Sequence, residues 1–390
     1  MRVLHVIDGI DVGGAEYVLV QLVEGLQAAG VKNYILVMTS CGPLKERLLA
    51  SGAELIEIGA PRKRVPLRAL YRMVREVRAV APDVIQGWIY HGNLAATVLR
   101  IMARSPAPVV WSNHNTLDPP LQLPAISRAA AKLNRYLSGW PERIVYVSEV
   151  AAKQHERAGF NASKTLVIPN GTDCVHFRPR PNAREMLSNE IGNTADVTLF
   201  GLFARWHPMK GHAVLFSAAA KLRASGVPFH LVLAGTGIER QNSELVDALA
   251  REGIDDHVSC LGERHDIHAL LPGLDAFVLP SVFGEAFPLV LGEAMASEVP
   301  CIATDVGDSR LIVGDTGAII PPGDPEALAD AMRTMVEMPA AERLTRGRLA
   351  RKRIEEKNSL EAMVSCYTDL YERVRLNAPS QKRQALGLGG

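Results

Sequence analysis

The sequence predicts an α/β protein made of two Rossmann-like, doubly wound domains. Short apolar runs alternate with stretches of helical period along the chain, which is the pattern of parallel strands crossed over by helices. The same strand, loop and helix order restarts near residue 198. The length of 390 residues also calls for two or three domains at about 100 to 200 residues each.

In the first half, residues 3–7 form a buried strand and Gly13-Gly14 a turn. Residues 15–28 then repeat apolar positions at helical spacing (Val18, Leu19, Leu22, Val23, Leu26), with Gly30 as the stop. Further strands are expected at 34–39, 55–58, 84–87, 109–112, 144–147 and 165–168. The second half opens with a strand at 198–203, a loop, a helix at 213–224 and a strand at 229–234. Strands at 258–261, 276–280 and 301–304 follow. Residues 177–193 are polar and carry prolines, so they read as a linker. The expected domains are therefore 1–180 and 181–359. A helix over about 360–376 would pack back on the first, and 377–390 would form a disordered tail.

Composition narrows the function. With 47% hydrophobic and 22% charged residues the chain is not of the disordered class. The net charge of +1 gives no basic field for nucleic acid. That balance conceals 22 basic and 14 acidic residues over 1–180 (+8), against 21 and 28 over 181–390 (−7). Five scattered cysteines without a C-x-x-C pair predict neither disulfides nor zinc. With no signal peptide and no long apolar run, they imply a cytoplasmic protein.

Ligands of open α/β sheets bind at the carboxyl ends of the strands, so polar residues there are the candidates. Gly13-Gly14 can bring backbone N–H groups to an anion, although the Gly-x-Gly-x-x-Gly spacing of dinucleotide sites is missing. Arg205 and Lys210 flank a loop between a strand and a helix, which suits a diphosphate. Glu285 follows a strand and leads into an apolar helix carrying Glu293; carboxylates there can accept the hydroxyls of a ribose or sugar diol. No Asp-x-Asp occurs, so no metal is expected. Residues 61–80 hold Arg62, Lys63, Arg64, Arg68, Arg72 and Arg75. The three last share a helix face, a stripe suited to anionic lipid headgroups, while Leu67, Leu70, Tyr71, Val74 and Val77 are expected to face the core.

Together, the Glu-x7-Glu element, the Arg-x4-Lys loop, the Gly-Gly-Ala-Glu turn, Ile168-Pro169-Asn170-Gly171-Thr172-Asp173 and Ala234-Gly235-Thr236-Gly237 resemble the retaining GT-B glycosyltransferases of family 4 over residues 1–376. The resemblance implies two Rossmann-like domains facing across a cleft, with a UDP- or GDP-sugar donor on the second and a glycan or lipid-linked acceptor on the first. No cofactor beyond this co-substrate is implied. Arg205 and Lys210 would neutralise the donor diphosphate, Glu293 would hold the ribose and Glu285 would contact the donor sugar. Ala286, Phe287, Leu289 and Val290 would line the phosphates, with Pro288 giving no N–H. Gly13 and Gly14 would approach the same diphosphate, Gly235 would line the donor site and Arg264 would border the base. His114 matches the family histidine near the donor sugar, where it would hydrogen-bond a hydroxyl or support the oxocarbenium ion. His91 and Asn93 would line the acceptor side. Asp305-Val306-Gly307-Asp308 departs from the Gly-Gly-Glu common in the family. The implied activity is metal-independent hexose or N-acetylhexosamine transfer with retention, in surface polysaccharide assembly and at the inner face of the membrane. The alternatives are a nucleotide-sugar epimerase of the same fold and a non-catalytic sugar-nucleotide-binding protein.

Overall fold

The computed structural model describes residues 1–11, 13–61, 65–117, 125–192 and 197–377. The chain forms two compact units, Met1–Gly171 with the chain from Leu360 onward, and Thr172–Ser359.

In the first unit, β1 (Arg2–Ile7), α1 (Gly14–Ala28), β2 (Lys32–Val37), α2 (Lys45–Ala50) and β3 (Glu54–Glu57) are followed by α3 (Leu67–Val80), β4 (Val84–Trp88), α4 (Ile89–Ala103), β5 (Val109–Asn113), α5 (Ala125–Leu137), β6 (Arg143–Tyr146), α6 (Glu149–Arg157) and β7 (Thr165–Val167). The strands pair in parallel in the order β3-β2-β1-β4-β5-β6-β7. β4 and β5 are buried along their whole length, as a sheet covered on both faces requires.

The second unit contains α7 (Ala183–Glu190), β8 (Thr198–Phe203), α8 (His212–Ala224), β9 (Phe229–Ala234), α9 (Ser243–Glu252), β10 (Val258–Cys260), α10 (Ile267–Leu270), β11 (Ala276–Leu279), α11 (Leu289–Ala296), β12 (Cys301–Thr304), α12 (Ser309–Val313), β13 (Ala318–Ile320), α13 (Pro325–Glu337) and α14 (Ala340–Lys357). Its parallel sheet runs β10-β9-β8-β11-β12-β13. α15 (Leu360–Asn377) belongs to the first unit: Val364 lies against Gly25 of α1, and the Tyr371 hydroxyl donates to Gln86 of β4.

In both sheets the strand order reverses about the first strand, between β1 and β4 and between β8 and β11. These are the switch points where loops diverge and open a crevice. The loops after β1, β4, β8 and β11 therefore carry the residues that matter.

Several expectations are corrected. The first unit ends at Gly171 rather than 180, because Thr172 N–H donates to Asn358 (2.8 Å) and the Arg351 guanidinium holds the carbonyls of Cys174 (3.1 Å) and Phe177 (3.2 Å) within the second unit. This reassignment leaves the charge split at +8 and −7. The presumed linker contains α7, whose Ala183 and Leu187 are buried beside Gly273 and whose Arg184 pairs with Asp275 at 2.6 Å. β13 had no expectation, being only three residues long. On α3 the buried residues are Met73, Val74, Val77 and Val80, whereas Leu67 and Tyr71 are 83% and 71% exposed. Leu67 and Tyr71 sit away from the 3.6-period stripe centred on Val77 and join the arginine face instead. Arg62, Lys63, Arg64 and the tail 378–390 lie outside the described residues.

Candidate active site

In the second unit, β8 feeds a loop that carries Arg205, exposed, and Lys210, partly buried, before α8 begins. Gly211 ends this loop in a left-handed conformation (φ 71°) hard against the Pro280 carbonyl, a position no larger residue can occupy. That approach ties the β8 loop to the β11 loop. Across it, Lys210 Nζ lies 2.6 Å from Glu285 Oε1, with 18% and 9% of the two side chains exposed. Ser281 Oγ donates to the same oxygen at 2.7 Å, and Thr304 Oγ1 donates to the Ser281 carbonyl at 2.6 Å. A nearly buried carboxylate thus has a cation and a hydroxyl on one oxygen, as the cost of burying charge demands. Gly307 (φ 59°) lies against the carbonyls of Glu285 and Ala286, and Asp308 N–H donates to Ala286 at 3.0 Å. The segment that departs from the family pattern therefore shapes the Glu285 loop.

Pro288 precedes α11, so the N–H groups of Leu289 and Val290 open a helix N-terminus, where partial positive charge favours anions. The side chains of Ala286 and Phe287 are buried. Glu293 sits within α11 with no ion-pair partner among the described residues, and burial pushes its carboxyl up to about 7. Gly235 after β9 donates to Gly262 at 2.7 Å and touches the Ala204–Arg205 backbone, joining the ends of β8, β9 and β10. Arg264 is not a free cation: it chelates Asp266 (2.7 and 2.6 Å) and pairs with Glu190 of α7.

In the first unit, Gly13 caps α1 with extended backbone, and the Glu16 carboxylate lies over it. Burial and the nearby Asp11 raise the Glu16 carboxyl. A carboxylate at this helix N-terminus competes with any diphosphate approaching Gly13 or Gly14. His91 lines a cavity of about 180 Å³ with Asp8, Thr39 and Trp88, and its Nε2 is 3.4 Å from Ser127 Oγ. Asn93 does not reach an acceptor. It is fully buried, its amide donates to Asn113 Oδ1 (3.0 Å), and its oxygen accepts from Ser112 N–H (3.2 Å), so it fastens α4 to β5.

His114 follows β5. Its ring stacks on the indole of Trp88, with centroids 4.8 Å apart and planes 18° apart. The residue keeps some accessible surface, yet both ring nitrogens are shielded and without a partner, and burial lowers its pKa to about 3. At neutral pH it is therefore a neutral imidazole. Trp88, Ser281 and Thr304 were not expected from the sequence, although each stands at the carboxyl end of a strand.

Two doubly wound parallel-sheet units, with charged groups at the switch point of the second, fit the GT-B architecture. The chain belongs to glycosyltransferase family 4. Residues 12–176 match the model described as Glycosyltransferase Family 4, and residues 197–338 match the one described as Glycosyl transferases group 1. The chain is 28% identical to EpsF of Bacillus subtilis (strain 168), whose name carries a provisional glycosyltransferase assignment, over 78% of this chain and 79% of that one. It is 27% identical to the phosphatidyl-myo-inositol mannosyltransferase of Mycolicibacterium smegmatis (strain ATCC 700084 / mc(2)155), over 83% and 81%. The fold matches the crystal structure of Anabaena Alr3699/HepE in complex with UDP, with a TM-score of 0.83 and 21% identity over 96% of this chain and 100% of that one. The protein is a glycosyltransferase.

Proposed function

We propose that this glycosyltransferase moves a hexose or N-acetylhexosamine, with retention and without a metal ion, from a UDP- or GDP-sugar to a glycan or lipid-linked acceptor in surface polysaccharide or glycoconjugate assembly. The observation that carries the reading is the Lys210–Glu285 pair at the carboxyl ends of β8 and β11, with exposed Arg205 in the same β8 loop. Lys210 and Arg205 would stabilise the diphosphate as the glycosidic bond breaks. The N–H groups of Leu289 and Val290 would add donors. Glu285, held by Lys210 and Ser281, would accept donor-sugar hydroxyls, and Glu293 would take the ribose diol. The acceptor hydroxyl would attack on the donor's front face while the departing diphosphate takes its proton. His114 would hydrogen-bond a sugar hydroxyl as a neutral imidazole. The UDP bound to HepE supports a uridine donor, and the phosphatidylinositol substrate in the mannosyltransferase's name supports a lipid acceptor.

A thermal-shift panel of UDP- and GDP-sugars in EDTA tests the donor site. Stabilisation of the wild type by at least one sugar nucleotide, lost in Lys210→Ala and Glu293→Ala, is expected. Equal stabilisation of the variants sinks the assignment. NMR of the product anomer reads retention.

The exposed face of α3 combines Arg68, Arg72 and Arg75 with Leu67 and Tyr71, which suits attachment to an anionic cytoplasmic leaflet, each basic residue contributing about 1 kcal/mol. No helix among the described residues is long and apolar enough to cross a membrane. Flotation with phosphatidylglycerol vesicles but not with phosphatidylcholine vesicles is expected; equal flotation with both refutes the electrostatic docking.

A further inference from the structure

Two histidines of the first unit, His5 and His155, are fully buried with every polar atom of the ring satisfied. His155 donates from Nδ1 to the Ala151 carbonyl at 2.7 Å and, as a neutral ring, accepts the Tyr90 hydroxyl at Nε2, 2.8 Å away. His5 is fixed by its neighbours in the opposite tautomer. The Asn33 amide already donates to the carbonyl of Val31 (2.9 Å) and to Gln27 Oε1 (3.2 Å), so its Oδ1 accepts from His5 Nε2–H at 3.1 Å. His5 Nδ1 is then the acceptor for the Trp88 Nε1–H, also at 3.1 Å. Burial lowers both histidines to about 4, so these tautomers persist across the physiological range.

His114 breaks this pattern. Neither ring nitrogen has a partner. A buried imidazole without hydrogen bonds has nothing polar to set its orientation. What it does have is the face of Trp88, nearly parallel at 4.8 Å. Trp88 itself cannot rotate freely: it is fully buried at the end of β4, and its N–H is held by His5, which Asn33 holds in turn. The next residue, Ile89, adopts φ 58°, a conformation that a β-branched side chain rarely tolerates. It turns the chain sharply where the indole must stay under His114, and such strain persists only where the surroundings enforce it.

We propose that Trp88 is a positioning residue for His114: the Asn33–His5–Trp88 chain of hydrogen bonds fixes the indole, and the indole fixes the imidazole plane, leaving both nitrogens without a protein partner and so unspent for a sugar hydroxyl. This rests on the role given to His114 above. The ring that orients the group contributes no charge and no proton, so the imidazole remains neutral and free to donate or accept. A misplacement of about 1 Å in such a group lowers a rate by about 10²-fold.

The test compares Trp88→Leu, Trp88→Phe and His114→Ala in the full chain. The rate is read as nucleoside diphosphate released from an equimolar mixture of UDP- and GDP-linked glucose, galactose, mannose and N-acetylglucosamine. The position of the imidazole is read from the NMR signals of the His114 ring protons, which the indole ring current shifts upfield. Trp88→Leu is expected to abolish that shift and lower the rate by about 10²-fold, and Trp88→Phe, which keeps a smaller ring without the N–H anchor, to reduce both effects partway. UDP-induced thermal stabilisation is expected to be unchanged in both, since Arg205, Lys210 and Glu293 lie in the other unit and Trp88 is fully buried. If Trp88→Leu fails to fold, Trp88→Phe carries the comparison. A folded Trp88 variant with displaced His114 signals and the wild-type rate overturns the proposal. If His114→Ala keeps the wild-type rate, the role of His114 falls first. If His114→Ala is inactive while the Trp88 variants are not, only the positioning by Trp88 falls.

Discussion

The buried histidines of the first unit and the Lys210–Glu285 pair of the second are prepared in opposite ways, although the second unit also holds desolvated histidines, His212 and His230, lowered to about 4. In the first, His5, His114 and His155 are stripped of water until they are neutral, and no ion pair holds them. In the second, Lys210 and Glu285 are matched at 2.6 Å, and Ser281 donates to the same carboxylate oxygen. The two sheets share one topology about their switch points, so the fold does not dictate the difference. Under the proposed function the ligand chemistry would: a sugar hydroxyl is best met by a neutral hydrogen-bonding ring, and a departing diphosphate by fixed positive charge. Desolvation would waste a cation, and pairing would protonate an imidazole meant to stay neutral.

Acid breaks this comparison most strongly. A histidine whose folded pKa lies below the usual 6.5 leaves the unfolded chain with more protons between the two values. Its contribution to stability is therefore complete above pH 6.5 and is lost as pH falls toward 4. For His5, His114 and His155 the loss by pH 5 is up to about 2 kcal/mol each, at about 1.4 kcal/mol per pH unit. The expected result is a thermal midpoint well below its pH 7.5 value at pH 5, with the ring signals of these histidines flat down to pH 5 in the folded protein. Titration of any of the three near 6.5 in the native state would show that desolvation does not hold it neutral.

The sequence made most of this fold legible, because buried parallel strands read as apolar runs bounded by turns. β8, β9 and β12 appear at the expected residues. What it hid were elements whose signals are tertiary. α7 looked like linker because its polar face outweighs the two residues it buries, Ala183 and Leu187. Leu67 and Tyr71 were read inward because an apolar residue near a helical stripe is normally on it; their exposure is visible only once the stripe is centred. At the site, Arg205, Lys210, Glu285 and Glu293 could be found from position after a strand and from residue type. Their partnerships could not: that Lys210 meets Glu285 across 75 residues, or that Arg264 is consumed by Asp266 and Glu190, depends on how loops cross. Asn93 and Trp88 show the same limit from both sides. One polar residue is spent on the scaffold, and one apolar residue supports the histidine above it.

Glu293 is an acid prepared by desolvation inside the unit that holds the Lys210–Glu285 pair. Its folded pKa of about 7 lies above the ordinary 4.5, so between these values the folded chain holds a proton that the unfolded chain has released. A ribose diol donates to a carboxylate better than to a carboxylic acid, so donor binding is expected to strengthen as pH rises through 7. The gain between pH 6 and 8 is about tenfold at most, corresponding to one pKa unit of differential interaction. The measurement must use sugar nucleotides, UDP-glucose and GDP-mannose, rather than UDP. A terminal phosphate titrates near pH 6 and would imitate the effect, whereas the diester phosphates of a sugar nucleotide do not titrate there. Calorimetric titrations at pH 6 and 8 should show the rise in the wild type and none in Glu293→Gln, whose amide resembles the protonated acid at every pH. The same pH dependence in both proteins would place its origin elsewhere in the unit and remove Glu293 from the ribose.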